Sequence, residues 1–77
     1  MLQGIKNNKF LKKLGLKIRQ VRIEKGLTQL DLAMKIDNYA EQIGRVERGE
    51  LNVSICTLKL IAEGLEVDLE DLLKGIK

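Results

Sequence analysis

The chain has 77 residues, one cysteine, no histidine and a net charge of +3 at neutral pH. This length indicates one small domain, and a lone cysteine without histidine excludes an internal disulfide and a zinc site. No apolar run approaches the about 18 to 20 residues that span a bilayer, so we expect a cytoplasmic protein with no membrane contact, no metal and no cofactor.

The charge is distributed unevenly along the chain. Residues 1–27 carry eight basic residues and one acidic residue, a net charge of +7, whereas residues 28–77 carry six basic and ten acidic residues, a net charge of −4. A basic half is typical of a protein with a polyanionic partner, but also of a solvated helix face. Charge alone favours neither interpretation.

The first predicted helix follows a stretch without periodicity at residues 1–8. Asn7 or Asn8 would cap its N-terminus, and Gly26 would end it. Its apolar side chains recur at helical spacing and form one stripe: Leu11, Leu14, Ile18 and Val21. We therefore expect a flexible N-terminal tail and a helical domain over residues 9–77.

The second predicted helix begins at Thr28, whose hydroxyl would cap it in a reciprocal arrangement with Asp31. The side chains expected to face inward are Leu30, Ala33 and Met34, with Leu32 as a further candidate. The turn that follows contains Asp37 and Asn38, two residue types that tolerate a left-handed backbone.

The third predicted helix runs from about Tyr39 to Arg48 and has few apolar side chains. Only Ile43 and Val46 are clearly apolar, and Gly49 would end the helix. A helix in the middle of a domain with so little apolar surface indicates that its open face binds something.

Two further helices complete the pattern, and the sequence has no strand signal. Ser54 would cap the fourth helix and Asp68 the fifth. The side chains expected to face inward are Ile55, Leu58, Ile61, Ala62 and Leu65 in the fourth helix and Leu69, Leu72 and Leu73 in the fifth. Cys56 is interpreted as a small, partly buried helix residue rather than a reactive thiol.

Several short motifs occur in the strings IRQVRIEKGLTQLDLAMKI and QIGRVERGELNVSICTLKLIAEGLEVDLEDLL: a TQ pair, an LA pair, an isoleucine in the third helix and ERG at its end. Together they resemble the Cro/repressor-type helix-turn-helix family, also called the XRE family. The resemblance implies an all-α, compact five-helix, lambda-repressor-like DNA-binding domain with the helix-turn-helix at residues 28–48. The segment after Gly49 is most similar to controller proteins of restriction–modification systems.

The resemblance implies that four residues of the third helix read bases: Ala40, Glu41, Gln42 and Arg45. Arg45 would bind guanine, Gln42 would pair with adenine, and Glu41 would accept a hydrogen bond from cytosine. Glu41 has an equal alternative role as a helix cap together with Asn38. Arg45 has the alternative of a solvated charge, and Ala40 would contact a thymine methyl group or nothing.

The resemblance also implies six residues in backbone contacts or bracing: Thr28, Gln29, Lys17, Arg19, Arg48 and Asn52. Arg22 and Glu47 match a pair that forms a buried ion pair in the family and would lock the first helix to the third. Basic residues far from the motif, such as Lys6 and Lys9, are interpreted as solubilising.

The chain departs from the family pattern at four positions. Asp37 stands where glycine is usual and Tyr39 where a serine or threonine cap is usual, so the register of the base contacts depends on this turn. Glu50 replaces a frequently basic residue, which weakens the local attraction for phosphate. Val53 replaces a common proline, which makes the loop less rigid.

The leading interpretation is a sequence-specific transcriptional regulator that binds a palindromic operator in double-stranded DNA as a homodimer. The residues expected at the dimer interface are Leu65, Val67, Leu69, Leu72, Leu73 and Ile76, unless these side chains only complete the domain's own core. The second interpretation is an antitoxin or protein-interaction module of the same fold, with a toxin or the transcription machinery as partner. No enzyme is expected, because the sequence offers no nucleophile–base pair and no glycine-rich phosphate loop.

Overall fold

The computed structural model describes residues 5–76, and within this range the chain forms five α-helices and no strand. The helices are α1 (Asn8–Glu24), α2 (Gln29–Lys35), α3 (Ala40–Glu47), α4 (Ile55–Leu65) and α5 (Leu69–Leu73). The predicted fold class and number of helices are confirmed. Residues 1–4 of the predicted tail lie outside the described residues, and Asn8 already belongs to α1. None of the described helices is long and apolar enough to cross a membrane.

The starts of the helices are fixed by hydrogen bonds between residues that are at most three positions apart in the sequence. The Asn7 side chain accepts from a first-turn N–H of α1 at 2.9 Å. At the start of α2, Thr28 Oγ1 accepts from the Asp31 N–H at 3.0 Å, and the Asp31 carboxylate accepts from the Thr28 N–H at 2.8 Å. The backbone hydrogen bond from Thr28 lowers the pKa of the Asp31 carboxyl, because it favours the ionised form. Ser54 and Asp68 occupy the N-cap positions of α4 and α5, as predicted.

The core is aliphatic and receives side chains from all five helices. Its buried members are Leu11, Leu14, Ile18, Val21, Leu32, Ala33, Ile36, Ile43, Val46, Leu58, Ile61, Ala62, Leu65 and Leu72. Full burial of one large aliphatic side chain contributes about 1.5–3 kcal/mol. Because α3 supplies only Ile43 and Val46, its position depends strongly on polar contacts, which are described below.

Four predictions about side-chain direction are wrong. Leu30 and Met34 are 57% and 72% exposed, whereas Leu32 is fully buried. At about 100° per residue, Leu30 and Leu32 point to opposite sides of α2, and the short helix can bury only one of them. Ile55 continues the apolar stripe of α4 but lies in its first turn at the rim of the core, and it is 63% exposed. Cys56 beside it is exposed rather than partly buried.

Two glycines allow the helices to approach closely. A Cβ atom at Gly15 of α1 would meet the backbone carbonyl of Glu47 and lie 2.5 Å from the carbonyl oxygen of Val46, both in α3. A Cβ atom at Gly64 of α4 would lie 2.6 Å from Cγ2 of Ile36. The sequence suggests only that Gly15 weakens α1, whereas the structure shows that α3 could not pack there against any larger residue.

Gly15→Ala should therefore destabilise the protein, although the same change usually stabilises an exposed helix by about 1 kcal/mol. The rigid backbone of α3 cannot yield, so we expect a loss of about 1–3 kcal/mol or more in the free energy of unfolding. Urea unfolding followed by circular dichroism measures it. Gly44→Ala is the control, because its Cβ atom would meet only side-chain ends at 3.0 and 3.4 Å. Equal stability of the two variants would contradict the prediction.

Candidate nucleic-acid interface

The turn between α2 and α3 is built on a left-handed residue. Asp37 adopts φ 53°, which aspartate tolerates better than most residues, and the Asn38 N–H donates to the Ala33 carbonyl at 2.8 Å. Tyr39 is the N-cap of α3 but makes no side-chain capping bond. Asn38 Oδ1 instead accepts from the Tyr39 N–H at 2.7 Å. The alternative that Asn38 and Glu41 cap α3 together is therefore wrong.

The third helix has one face against the core and one face open. Ile43 and Val46 are buried, while Glu41 and Arg45 are exposed and lie one turn apart on the same face. Gln42 is half-buried and lines a groove with Asn52 and Ser54 of the loop that precedes α4. Ala40 is half-buried and packs against the core. Of the four predicted base-reading residues, Glu41 and Arg45 are therefore the two that are exposed.

The predicted ion pair joins α1 to α3. Arg22 Nε donates to Glu47 Oε2 at 2.6 Å and Arg22 Nη2 donates to Glu47 Oε1 at 3.0 Å, which is a bidentate contact. Arg22 Nη1 also donates to the Leu27 carbonyl at 2.8 Å. Both side chains are buried, and the hydrogen bond to Glu47 raises the pKa of the Arg22 guanidinium. Among the described residues, every buried polar side-chain atom has a hydrogen-bond partner.

Gln29 extends this network to α2. Its Nε2 donates to Glu47 Oε1 at 3.1 Å, so the first residue of α2 is tied to the same carboxylate as Arg22. The amide of Gln29 also faces Gly44, where an added Cβ atom would lie 3.4 Å from it. The Gln29 side chain thus points towards α3 and the Glu47 carboxylate. This position fits the predicted bracing role better than a direct contact with DNA.

A cluster of charges surrounds the end of α3. Glu50 carboxylate oxygens lie 2.6 Å from Arg48 Nε and 3.7 Å from Arg45 Nε. Lys6 Nζ donates to the Glu50 carbonyl at 3.0 Å, so this residue is not remote from the motif as the sequence suggested. The predicted phosphate-contact residue Asn52 donates from Nδ2 to the Ile5 carbonyl at 3.1 Å. Residues 5 and 6, placed in the predicted flexible tail, are thus bonded to the loop after α3.

The first helix presents different sides to α3 and to the C-terminal segment. Lys12 and Gly15 of α1 contact the end of α3. Each residue advances by about 100° around the helix axis, so Arg19 lies on the same side of α1, between the positions of Lys12 and Gly15. Lys17 points about 140° away from Lys12 on the same basis and lines a groove with Ile76. Lys17 and Arg19 therefore lie on different sides of α1, with Arg19 on the side of α3.

The predicted dimer interface is only partly available at the surface. Leu65 and Leu72 are 1% and 0% exposed, so their side chains belong to the core of the single chain and cannot contact a partner. The sequence could not separate these two from the others, because all six are aliphatic residues spaced among charged residues in one short C-terminal segment. The half-buried side chains that still reach the surface there are Val67, Leu69, Leu73 and Ile76.

The described residues contain no group of three or more metal-ligating side chains.

Residues 18–72 match a family model described as helix-turn-helix. The chain belongs to the XRE-type helix-turn-helix family. Since family members of this type are regulators, the chain is a DNA-binding transcriptional regulator and not an enzyme.

Similar proteins include controller proteins of restriction–modification systems. The control protein C.BamHI of Bacillus amyloliquefaciens is 38% identical over 60 residues, which cover 77% of this chain and 74% of that protein. The controller protein C.AhdI of Aeromonas hydrophila superposes with a TM-score of 0.78 at 35% identity, covering 80% of this chain and 94% of that one. C.Esp1396I, solved as a tetramer with its natural 35-base-pair operator, gives a TM-score of 0.73 at 37% identity, covering 84% and 96%.

Removing one partner of the ion pair should strongly destabilise this helix-turn-helix domain. Glu47→Ala would leave the Arg22 charge buried without its carboxylate, and we expect a loss of about 3–5 kcal/mol in the free energy of unfolding. Urea unfolding measures this loss. Glu63→Ala breaks the exposed pair with Lys59 and should cost less than about 1 kcal/mol.

The apolar double variant Arg22→Met with Glu47→Leu tests whether the loss comes from the stranded charge. It should recover most of the stability, because no buried charge is left unpaired. A Glu47→Ala variant as stable as Glu63→Ala would show that Arg22 is solvated and that the pair does not hold the helices together.

Proposed function

We propose that the chain binds a palindromic operator as a homodimer, with one α3 helix of each subunit in the major groove. The observation that carries this proposal is the exposed face of α3, where Glu41 and Arg45 project from a helix held on its other side by Ile43, Val46 and the Glu47 ion pair. A rigid helix with an open polar face is what reading of base edges requires. The proposed site of action is the cytoplasm.

Arg45 is the leading candidate for base recognition. Its side chain is about half-exposed, and its guanidinium would bind guanine O6 and N7 bidentately. Glu41 lies one turn away and is not used as a helix cap, so its carboxylate is available to accept from cytosine N4. Gln42 and Ala40 are proposed as contacts at the edge of this surface, with Gln42 on the side of the groove near Asn52.

Contacts to the DNA backbone are proposed for residues around α3. Arg19 projects from α1 on the α3 side, and Arg48 lies at the end of α3. The start of α2 at Thr28 and the loop at Asn52 would add polar contacts, and Gln29 would brace α3 through Glu47. Lys6 joins this set because its ammonium lies at the same end of α3 as Arg48.

The dimer is proposed to form through the C-terminal part of the chain. The candidate side chains are the half-buried Val67, Leu69, Leu73 and Ile76. Leu16 of α1 is 63% exposed and lines one groove with Ile76, so it extends the same apolar surface. The relative C.Esp1396I assembles as a tetramer on its operator, which supports oligomer formation on DNA for this chain as well.

Selection of bound duplexes from random DNA tests the assignment of Arg45. The wild-type chain should select a palindromic sequence, and Arg45→Ala should relax the preference at one symmetric pair of positions, at a cost of about 1–3 kcal/mol for the correct base. An unchanged selected sequence would show that the register of base contacts is wrong.

Arg19→Ala should weaken binding to all sequences alike, because a phosphate contact carries no sequence information. Titrations at several salt concentrations should show a plot of log affinity against log salt that is less steep by about 0.9 for each phosphate that the variant no longer neutralises. Weaker binding to the selected sequence alone would assign Arg19 to base reading instead.

Sedimentation at micromolar concentrations tests the dimer. We expect the wild-type chain to form a dimer that tightens on the selected duplex, and Ile76→Glu to weaken it, because the variant places a charge on the apolar surface. Leu30→Glu is the matched control on the exposed face of α2. A wild-type chain that stays monomeric with and without DNA would refute the dimer.

A further inference from the structure

Glu50 is an acidic side chain among the basic groups at the end of α3. Its carboxylate accepts from Arg48 Nε at 2.6 Å and Nη2 at 3.4 Å, and it lies 3.7 Å from Arg45 Nε. Its backbone carbonyl accepts from Lys6 Nζ at 3.0 Å. Three cations therefore converge on one residue, in the region that the proposed function assigns to DNA.

The position of Glu50 is set by the end of the helix. Gly49 adopts φ 74° and is packed so closely on α1 that an added Cβ atom would lie 2.8 Å from the Cα of Lys12. The Glu50 N–H then donates to the Arg45 carbonyl at 2.9 Å. The backbone itself thus places this carboxylate beside Arg45 and Arg48.

The carboxylate and a DNA phosphate would compete for the same guanidinium groups. The hydrogen bond from Arg48 lowers the pKa of the Glu50 carboxyl, so the competitor is ionised at neutral pH. The side chains of Arg45 and Glu50 are 46% and 47% exposed. An ion pair with this exposure changes a binding constant only a few-fold. A single exposed phosphate contact is of comparable strength, whereas a bidentate contact to guanine is stronger.

We propose that Glu50 is an affinity-limiting residue, which competes with DNA for Arg45 and Arg48 and so weakens binding to the operator at least as much as binding to other DNA. On the operator, Arg45 gains base contacts that replace its contact with Glu50. On other sequences only the weaker phosphate contacts are available, so the carboxylate is displaced less fully and its removal changes the affinity less. This inference rests on the proposed function, because it requires α3 to face DNA.

The test compares Glu50→Gln with Glu63→Gln on two duplexes, the one selected from random DNA and a scrambled one of the same composition. Both variants lose one negative charge, but Glu63 pairs with Lys59 on α4 instead of with the α3 arginines. For Glu50→Gln we expect about three- to ten-fold tighter binding to the selected duplex and a smaller gain on the scrambled one. The salt dependence on the scrambled duplex should steepen by about 0.9 for each additional phosphate that is neutralised. Glu63→Gln should change both affinities equally and by less than about two-fold.

A second comparison identifies the partner of Glu50. In an Arg48→Ala background, the gain from Glu50→Gln on the scrambled duplex should shrink, because one of the two competing guanidinium groups is absent. Circular dichroism melting checks that all variants are folded.

The role of Glu50 is refuted by a larger gain on the scrambled duplex than on the selected one, by identical behaviour of the Glu50 and Glu63 variants, or by weaker binding of Glu50→Gln to the selected duplex. A wild-type chain that binds neither duplex would refute the proposed function itself, and this outcome is distinct from the other three.

Discussion

The recognition surface depends on the buried ion pair between Arg22 and Glu47. One carboxylate on α3 receives hydrogen bonds from α1 through Arg22 and from α2 through Gln29. A buried ion pair contributes little net stability compared with an apolar replacement, because both charges lose their hydration. We infer that its main contribution here is to fix the rotation of α3, whose buried apolar side chains are Ile43 and Val46.

Close packing of α1 on α3 brings together charged groups that are far apart in the sequence. Gly15 lets the two helix backbones meet, and Gly49 ends α3 directly against Lys12. As a consequence Lys6 reaches the carbonyl of Glu50, 44 residues further along the chain. Lys6, Arg45 and Arg48 therefore lie in one region of positive charge, and Glu50 is an acidic residue within it.

The sequence by itself determined the features that rest on neighbouring residues. The helices start where Asn7, Thr28, Ser54 and Asp68 stand, because a capping side chain reaches only the N–H groups two or three residues ahead. The sequence also indicates a turn at Asp37 and Asn38, two residue types that tolerate a left-handed backbone, and the structure has that conformation at Asp37. The family motif also supplied the ion-pair partners, which no local pattern would have joined across 25 residues.

Only the tertiary structure decided which surfaces face outward and which charges meet. Apolar periodicity did not show that Leu32, rather than Leu30, enters the core, because a helix as short as α2 carries apolar residues on both sides. Apolar periodicity also did not show that the side chains of Leu65 and Leu72 are buried in the core of a single chain. These outcomes, like the meeting of Glu50 with the α3 arginines, depend on how the helices pack and on where a glycine lets two backbones touch.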